Sequence, residues 1–193
     1  MRVRKSTEIR KDEIVRAALA IVENSGLDKL NINEIAAKVE MVPAAIYRHF
    51  KGREEIVAAL IEHIDQRLQY NLGQANAVTG TPMGNLKVLL ELHVTLLKEE
   101  AAIPRVLFFL LSSDRNPELK AGMLSAVGVY VQQVKKLLQQ GQRKGEISPD
   151  IDATAAAMMF LGMVQPLAIL GQIDKEMLDD CPGKLWQQYQ RSI

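Results

Sequence analysis

The chain has 193 residues, of which 48% are hydrophobic and 24% charged, and its formal net charge is +1. This composition is ordinary for a soluble globular protein with one good core, or with a small domain joined to a larger one. Cys181 is the only cysteine, which excludes an internal disulfide and a cysteine-based metal site and suits a reducing cytoplasm. No apolar segment follows the basic N-terminus, so a secretory signal is not expected.

Positive charge is concentrated near the N-terminus. Residues 1–53 contain 11 Lys and Arg against 7 Asp and Glu, whereas residues 54–193 contain 13 against 16. Phosphate binding favours such a basic region, although an excess of this size also occurs by chance. The first eleven residues fit a solvated terminus and an arm that reaches DNA phosphate equally well; their basic residues are Arg2, Arg4, Lys5, Arg10 and Lys11.

A first helix is predicted at about residues 7–25, with Gly26 as its C-terminal cap. Two short helices joined by a tight turn are predicted next. Asn31 is a good N-cap for the earlier one, and Glu34 completes a capping box three positions later. Pro43 suits the first turn of the later one, where a missing N–H costs nothing.

The later of these two short helices has two different faces. Ile46 and Phe50 lie four residues apart and are expected to pack inward, which leaves a small, aromatic and basic surface facing outward. A helix-turn-helix needs this division, because its second helix enters a DNA major groove that is about 12 Å wide. The pattern therefore predicts a DNA-binding head.

Residues 45–56, with the sequence AIYRHFKGREEI, resemble the recognition-helix signature of TetR/AcrR-type transcriptional regulators. The specific match covers about residues 8–60, and Glu40 occupies a turn position that is often Gly in that family. By motif position, the side chains expected to face the groove are Pro43, Ala44, Ala45, Tyr47 and Arg48. Tyr47 and His49 are expected to bond phosphates, Lys51 and Arg53 to act as phosphate clamps, and Asn31 and Asn33 to offer polar contacts.

The rest of the chain also shows helical patterns and no period-two strand pattern. Pro104 is expected to break or restart the chain before a short apolar segment, and Pro182-Gly183 to interrupt the last helical stretch. The fold class is therefore all-α with about nine helices: a three-helix head in residues 1–53, and a helical body for ligand binding and dimerisation in residues 54–193. The expected body segments are a helix that starts at about residue 53, runs past Tyr70 and ends in residues 78–84, followed by segments at about 85–99, 106–111, 117–143, 151–171 and 174–193.

Residues 153–173 contain no charged side chain and are long enough to span a bilayer. Acidic residues flank both ends and interfacial anchoring is weak, so a buried helix is the preferred interpretation. TetR-like proteins dimerise through their last two long helices, and the resemblance therefore implies a homodimer interface here. The residues expected in that interface are Met159, Gly162, Met163, Leu167 and Leu170.

The resemblance also implies a small-molecule pocket among the middle helices. Apolar, adaptable side chains would favour a hydrophobic or aromatic effector, although plain core packing explains each residue singly. The candidates are His63, His93, Phe108, Phe109, Met123, Tyr130, Met158 and Met159. The three histidines lack metal-binding spacing, and no phosphate loop or catalytic nucleophile motif is present, so no cofactor, metal site or enzyme activity is expected.

These observations predict a cytoplasmic, homodimeric transcriptional regulator without a membrane segment. It is expected to bind an operator in double-stranded DNA, most simply as a repressor that a small, largely apolar effector releases. Two alternatives stay open. One is a helical small-molecule-binding protein or enzyme with a vestigial head, and the other is a membrane-anchored DNA-binding protein that uses residues 153–173.

Overall fold

The structure is a computed structural model that describes residues 6–78 and 80–193. These residues form nine α-helices and one short 3-10 helix, Leu27–Lys29, without any strand, which confirms the all-α prediction. Arg2, Arg4 and Lys5 of the proposed N-terminal arm lie outside the described residues. The helices are α1 Thr7–Ser25, α2 Ile32–Lys38, α3 Pro43–Ile46, α4 Arg53–Val78, α5 Pro82–Glu99, α6 Ala102–Ser112, α7 Pro117–Arg143, α8 Ala153–Leu170 and α9 Met177–Ser192.

One of the two prolines acts differently from the prediction. Pro104 restarts the chain as expected, because it lies in the first turn of α6, where the missing N–H has no intrahelical partner. Pro182 lies inside α9 and does not divide it. Its ring removes the bond to the Leu178 carbonyl at a cost of about 3 kcal/mol, but α9 buries Leu178, Trp186 and Tyr189, and burial contributes roughly 1.5–3 kcal/mol for each large apolar side chain.

The chain divides into two compact units. The first unit consists of the described residues up to Ile64 together with Ala102–Leu124, and in it α1 packs against α2, α6 and the 3-10 helix. Ile14, Ala18 and Val22 are fully buried on α1. The boundary predicted after residue 53, between the DNA-binding head and the body for ligand binding and dimerisation, stays a prediction.

The second unit consists of Asp65–Ala101 and Ser125–Ile193. Here α8 packs against α9 and α5, and α5 also packs against α9. Phe160 meets the Tyr189 ring edge-on at 5.8 Å between centroids, and the Tyr189 hydroxyl donates a hydrogen bond of 2.9 Å to the Ala156 carbonyl. Burial raises the pKa of the Tyr189 hydroxyl. These contacts hold the C-terminal helix against α8.

Helix α8 is long and apolar enough to cross a membrane, with a mean hydropathy of 1.7 over Ala153–Leu170. Within the described residues it alone meets that criterion, and 39% of the segment is buried inside the protein. Core helices of soluble proteins also meet the criterion, so the feature is weak evidence for a membrane span.

Candidate nucleic-acid interface

The turn between α2 and α3 is a Schellman motif. The Met41 amide donates to the Ala36 carbonyl at 2.9 Å, and the Glu40 amide donates to the Ala37 carbonyl at 3.2 Å. Glu40 stands at the left-handed position of this motif, with φ of 54°. A side chain with a Cβ costs roughly 1–2 kcal/mol there relative to glycine. The turn therefore keeps the geometry of a glycine turn although the sequence supplies Glu.

The recognition segment begins at Pro43, and its helix ends at Ile46, followed by a hydrogen-bonded turn that reaches His49. Ile46 is fully buried and Phe50 is 3% exposed, so both pack inward as predicted. The Lys11 ammonium lies 5.4 Å from the centre of the Phe50 ring, a cation–π contact from α1. The segment is thus anchored on its inner side.

The outer side of the segment presents the side chains that the sequence assigned to the groove. Pro43, Ala44 and Arg48 are exposed, and Tyr47 is 56% exposed. Ala45 is half-buried. Val42, which the sequence analysis did not single out, is 66% exposed at the N-cap of α3. An exposed apolar side chain at this position suits contact with a thymine methyl group.

Three exposed cations surround this surface, namely Lys38, Arg48 and Lys51. Within the described residues none of the three has an ion-pair partner, so each is free to meet phosphate. Lys38 is an addition to the sequence-based set, and its position in the last turn of α2 was the available signal. His49 is half-buried, and its Nδ1 atom has no hydrogen-bond partner among the described residues.

Two of the predicted DNA contacts have polar groups that the protein itself already uses. The Asn31 side chain caps α2 by accepting a bond of 2.9 Å from the Glu34 amide, and its Nδ2 donates to the Lys29 carbonyl at 3.0 Å. Arg53 donates from Nε to the Leu30 carbonyl at 2.9 Å and from Nη2 to the Leu27 carbonyl at 2.6 Å. Asn33 is exposed. The roles of these residues toward DNA stay predictions.

The predicted effector-binding residues divide between the two compact units. His63, Phe108, Phe109 and Met123 belong to the first, and Met123 is fully buried. The other four, His93, Tyr130, Met158 and Met159, belong to the second. Met158 and Met159 are at least half exposed on α8.

His93 and Tyr130 form a buried polar pair in the second unit. The His93 Nδ1 and the Tyr130 hydroxyl share a hydrogen bond of 3.0 Å, and their rings meet edge-on at 5.5 Å between centroids. Burial lowers the pKa of His93 to about 4, so the imidazole is neutral at neutral pH, and burial also raises the pKa of the Tyr130 hydroxyl. The pair brings two of the candidates together through polar atoms.

The residues predicted for dimerisation lie on two faces of α8. Met159, Gly162 and Leu170 are exposed, whereas Met163 and Leu167 are buried inside the protomer. Only the exposed three are free to meet a second copy of the chain. Their role in an interface stays a prediction.

This geometry defines the class of the head: an inward-anchored helix-turn-helix with an exposed aromatic and basic recognition surface. Residues 14–60 match the family described as bacterial regulatory proteins, tetR family. The predicted resemblance to TetR/AcrR regulators is thereby confirmed over these residues, and the findings support a DNA-binding transcriptional regulator.

Sequence relatives span most of the chain at low identity. The HTH-type transcriptional regulator UidR of Escherichia coli K12 is 24% identical over 167 residues, which cover 86% of this chain and 82% of UidR. The nucleoid occlusion factor SlmA of Photobacterium profundum is 23% identical over 160 residues, which cover 81% and 80%. Both alignments therefore extend beyond the head into the rest of the chain.

Solved structures share the fold. FadR of Bacillus subtilis, a transcriptional regulator solved in complex with stearoyl-CoA, has a TM-score of 0.81 and 19% identity over 94% of this chain and 98% of its own. AibR, solved in complex with isovaleryl coenzyme A and operator DNA, has a TM-score of 0.72 and 21% identity over 92% and 98%. At these identities the comparison establishes the fold alone.

Proposed function

We propose that the protein is a homodimeric repressor that binds an operator through two heads and is released by an acyl-coenzyme A thioester. The observation that carries the proposal is the exposed Tyr47–Arg48 surface on an anchored helix-turn-helix of TetR type. Side chains on such a surface reach base edges, while flanking cations neutralise phosphates and set the register. Regulation of transcription in the cytoplasm, without catalysis, follows from the same class.

The effector class rests on two considerations. FadR and AibR, which share the fold, were each solved with an acyl-coenzyme A. In this chain the His93–Tyr130 pair supplies a buried polar contact inside the second helical unit. An acyl thioester combines an apolar chain with a carbonyl oxygen that such a pair can bond.

The homodimer rests on the exposed face of α8 and the segment that follows it. Met158, Met159, Ile169 and Ile173 are between 48% and 81% exposed, and the surface between them carries no charge. A contiguous apolar surface of this kind marks an interaction site on a soluble protein. Exposed Gly162 lies within this face and permits close approach of a second helix.

The experiment begins with selection of bound sequences from a random duplex pool, using the purified chain, with Arg48→Ala as the matched control. The recovered operator is then titrated by fluorescence anisotropy with isovaleryl-CoA, stearoyl-CoA and free coenzyme A. We expect one of the thioesters, and not free coenzyme A, to weaken operator binding about 5- to 150-fold, the usual range of allosteric coupling. By linkage, operator DNA should weaken binding of that thioester by the same factor.

Two results would overturn parts of the proposal. Selection of no sequence, or the same enrichment by Arg48→Ala, would reject the operator-binding surface. Operator affinity that neither thioester changes, although calorimetry shows that one of them binds, would reject the effector's role.

A further inference from the structure

The first compact unit contains a cavity of about 280 Å³ that the proposed function does not use. Four segments of that unit form its walls: the 3-10 helix, the first turns of α4, the C-terminal end of α6 with the loop that follows it, and the start of α7. Every lining residue belongs to the first unit. An occupant would therefore touch parts of the head that adjoin the recognition segment in sequence.

The inner wall of the cavity is apolar. Leu27, Val57 and Leu110 line it and are between 1% and 5% exposed, so their positions are fixed by the core behind them. Phe109 adds an aromatic side chain at half burial. A hydrocarbon group of modest size would lose its contact with water against this wall, which favours binding.

The rim of the cavity carries charges of both signs. Arg53 and Arg115 supply two guanidinium groups, and Asp28 and Glu54 supply two carboxylates. Glu54 and Arg115 are exposed and, within the described residues, have no ion-pair partner. Asp28 has only a loose pairing with Lys29, at 3.8 Å.

From this arrangement we infer that the cavity binds a small zwitterion with an apolar side chain, the chemistry of a free aliphatic amino acid. An ammonium group pairs with the rim carboxylates, a carboxylate group pairs with the exposed Arg115 guanidinium, and the side chain lies against the apolar wall. A ligand of a single charge would meet one pair of rim charges of its own sign, which opposes binding.

Size separates this site from the proposed effector site. The cavity volume of about 280 Å³ lies just below the roughly 300–1,000 Å³ of pockets that hold drug-sized ligands, which suits a molecule as small as leucine. An acyl-coenzyme A is several times larger and cannot be enclosed here. The inference is therefore independent of the acyl-coenzyme A proposal, and either one can fail alone.

The test is isothermal calorimetry on the full chain with three matched probes: L-leucine, L-leucinamide, which lacks the carboxylate, and 4-methylpentanoate, which lacks the ammonium. We expect L-leucine to bind with a Kd of about 1 mM or tighter, and each single-charge analogue to bind at least about tenfold more weakly. The leucine-saturated chain should also unfold at a higher temperature, because a ligand of the native state stabilises it.

Variants locate the site. Arg115→Gln and Glu54→Gln, both at exposed positions, should each weaken L-leucine binding about tenfold, and Ser113→Trp should abolish it by filling the cavity. Arg143→Gln, an exposed arginine of the second unit, is the matched control and should bind L-leucine as the wild type does.

Three results would overturn the inference. The first is no binding of L-leucine at about 10 mM. The second is equal affinity for L-leucine and 4-methylpentanoate, which would reject a zwitterion. The third is binding that Arg115→Gln and Glu54→Gln leave unchanged, which would place the ligand elsewhere. If operator selection succeeds while L-leucine fails to bind, only the cavity inference falls.

Discussion

Arg53 has two candidate roles, a contact to DNA phosphate and a stabilising contact within the protein, and its substitution distinguishes them. The sequence predicted a phosphate clamp, but its guanidinium donates to the carbonyls of Leu27 and Leu30, which lie 26 and 23 residues earlier in the chain. These two bonds join the start of α4 to the turn that precedes the Asn31 cap. We predict that Arg53 is a positioning residue that holds α2 and the recognition segment in place.

The magnitude follows from the two bonds. A hydrogen bond from a charged donor contributes about 1.5–3 kcal/mol, and since Arg53 is only half-buried, water recovers part of that in a variant. Arg53→Gln should therefore lower the free energy of unfolding by about 2–3 kcal/mol. Arg53→Lys, which keeps the charge but loses the planar pair of donors, should lose about half as much.

The assay pairs urea unfolding with the salt dependence of operator binding. Each phosphate contact contributes about 0.9 to the slope of log K against log salt. Lys51→Gln is the matched control, because Lys51 is exposed and has no ion-pair partner among the described residues. Lys51→Gln should reduce the slope by about 0.9 per head and keep wild-type stability, whereas Arg53→Gln should do the opposite. A reduced slope with unchanged stability in Arg53→Gln would refute our reasoning and restore the phosphate clamp.

Three further predictions follow from single features of the structure. Glu40→Gly should raise the free energy of unfolding by about 1 kcal/mol, because Glu40 has φ of 54° and a Cβ is strained at a left-handed position. Urea unfolding measures the change, and Glu40→Ala, which keeps a Cβ, should show no gain. Met159→Asp should shift the protein from dimer to monomer in sedimentation because it places charge on the exposed α8 face, while Val78→Asp, at another exposed apolar site, on α4, should not; a wild type that sediments as a monomer would end the dimer proposal. Burial lowers the pKa of His93 from 6.5 to about 4, so the unfolded chain binds the proton more tightly. The contribution of neutral His93 is then complete above pH 6.5 and is lost as the pH falls toward 4. Between those pH values, urea unfolding should show that the free energy of unfolding falls further in the wild type than in His93→Gln, by at most about 3 kcal/mol. Parallel pH profiles of the two proteins would contradict the prediction.

Local signals in the sequence located most of the secondary structure. Asn31 caps α2 and Gly26 ends α1 with a positive φ, as predicted, because these effects depend on residues within one turn of each other. The inward positions of Ile46 and Phe50 likewise followed from their spacing. Helix α7 has the predicted bounds of Pro117 and Arg143.

Contacts distant in sequence were beyond this kind of reasoning. The two carbonyls that Arg53 bonds are 23 and 26 residues away, and nothing near Arg53 in the sequence distinguishes a guanidinium that faces phosphate from one that faces the backbone. The cavity beside α6 could not be predicted for the same reason, because four segments that are separate in sequence form it. The predicted interruption at Pro182 is wrong because helix propensity does not include the packing that holds α9.

The α8 helix shows why composition alone cannot assign a face. A helix that is apolar all round is compatible with burial on any side, so neighbouring helices decide which residues enter the core. Here α5 and α9 pack against α8 and bury Phe160, Met163 and Leu167. Charge at Met163 or Leu167 would therefore unfold the protomer and report nothing on association. Met159→Asp places its charge at a half-exposed position outside that core. The variant therefore tests a dimer contact on a folded chain.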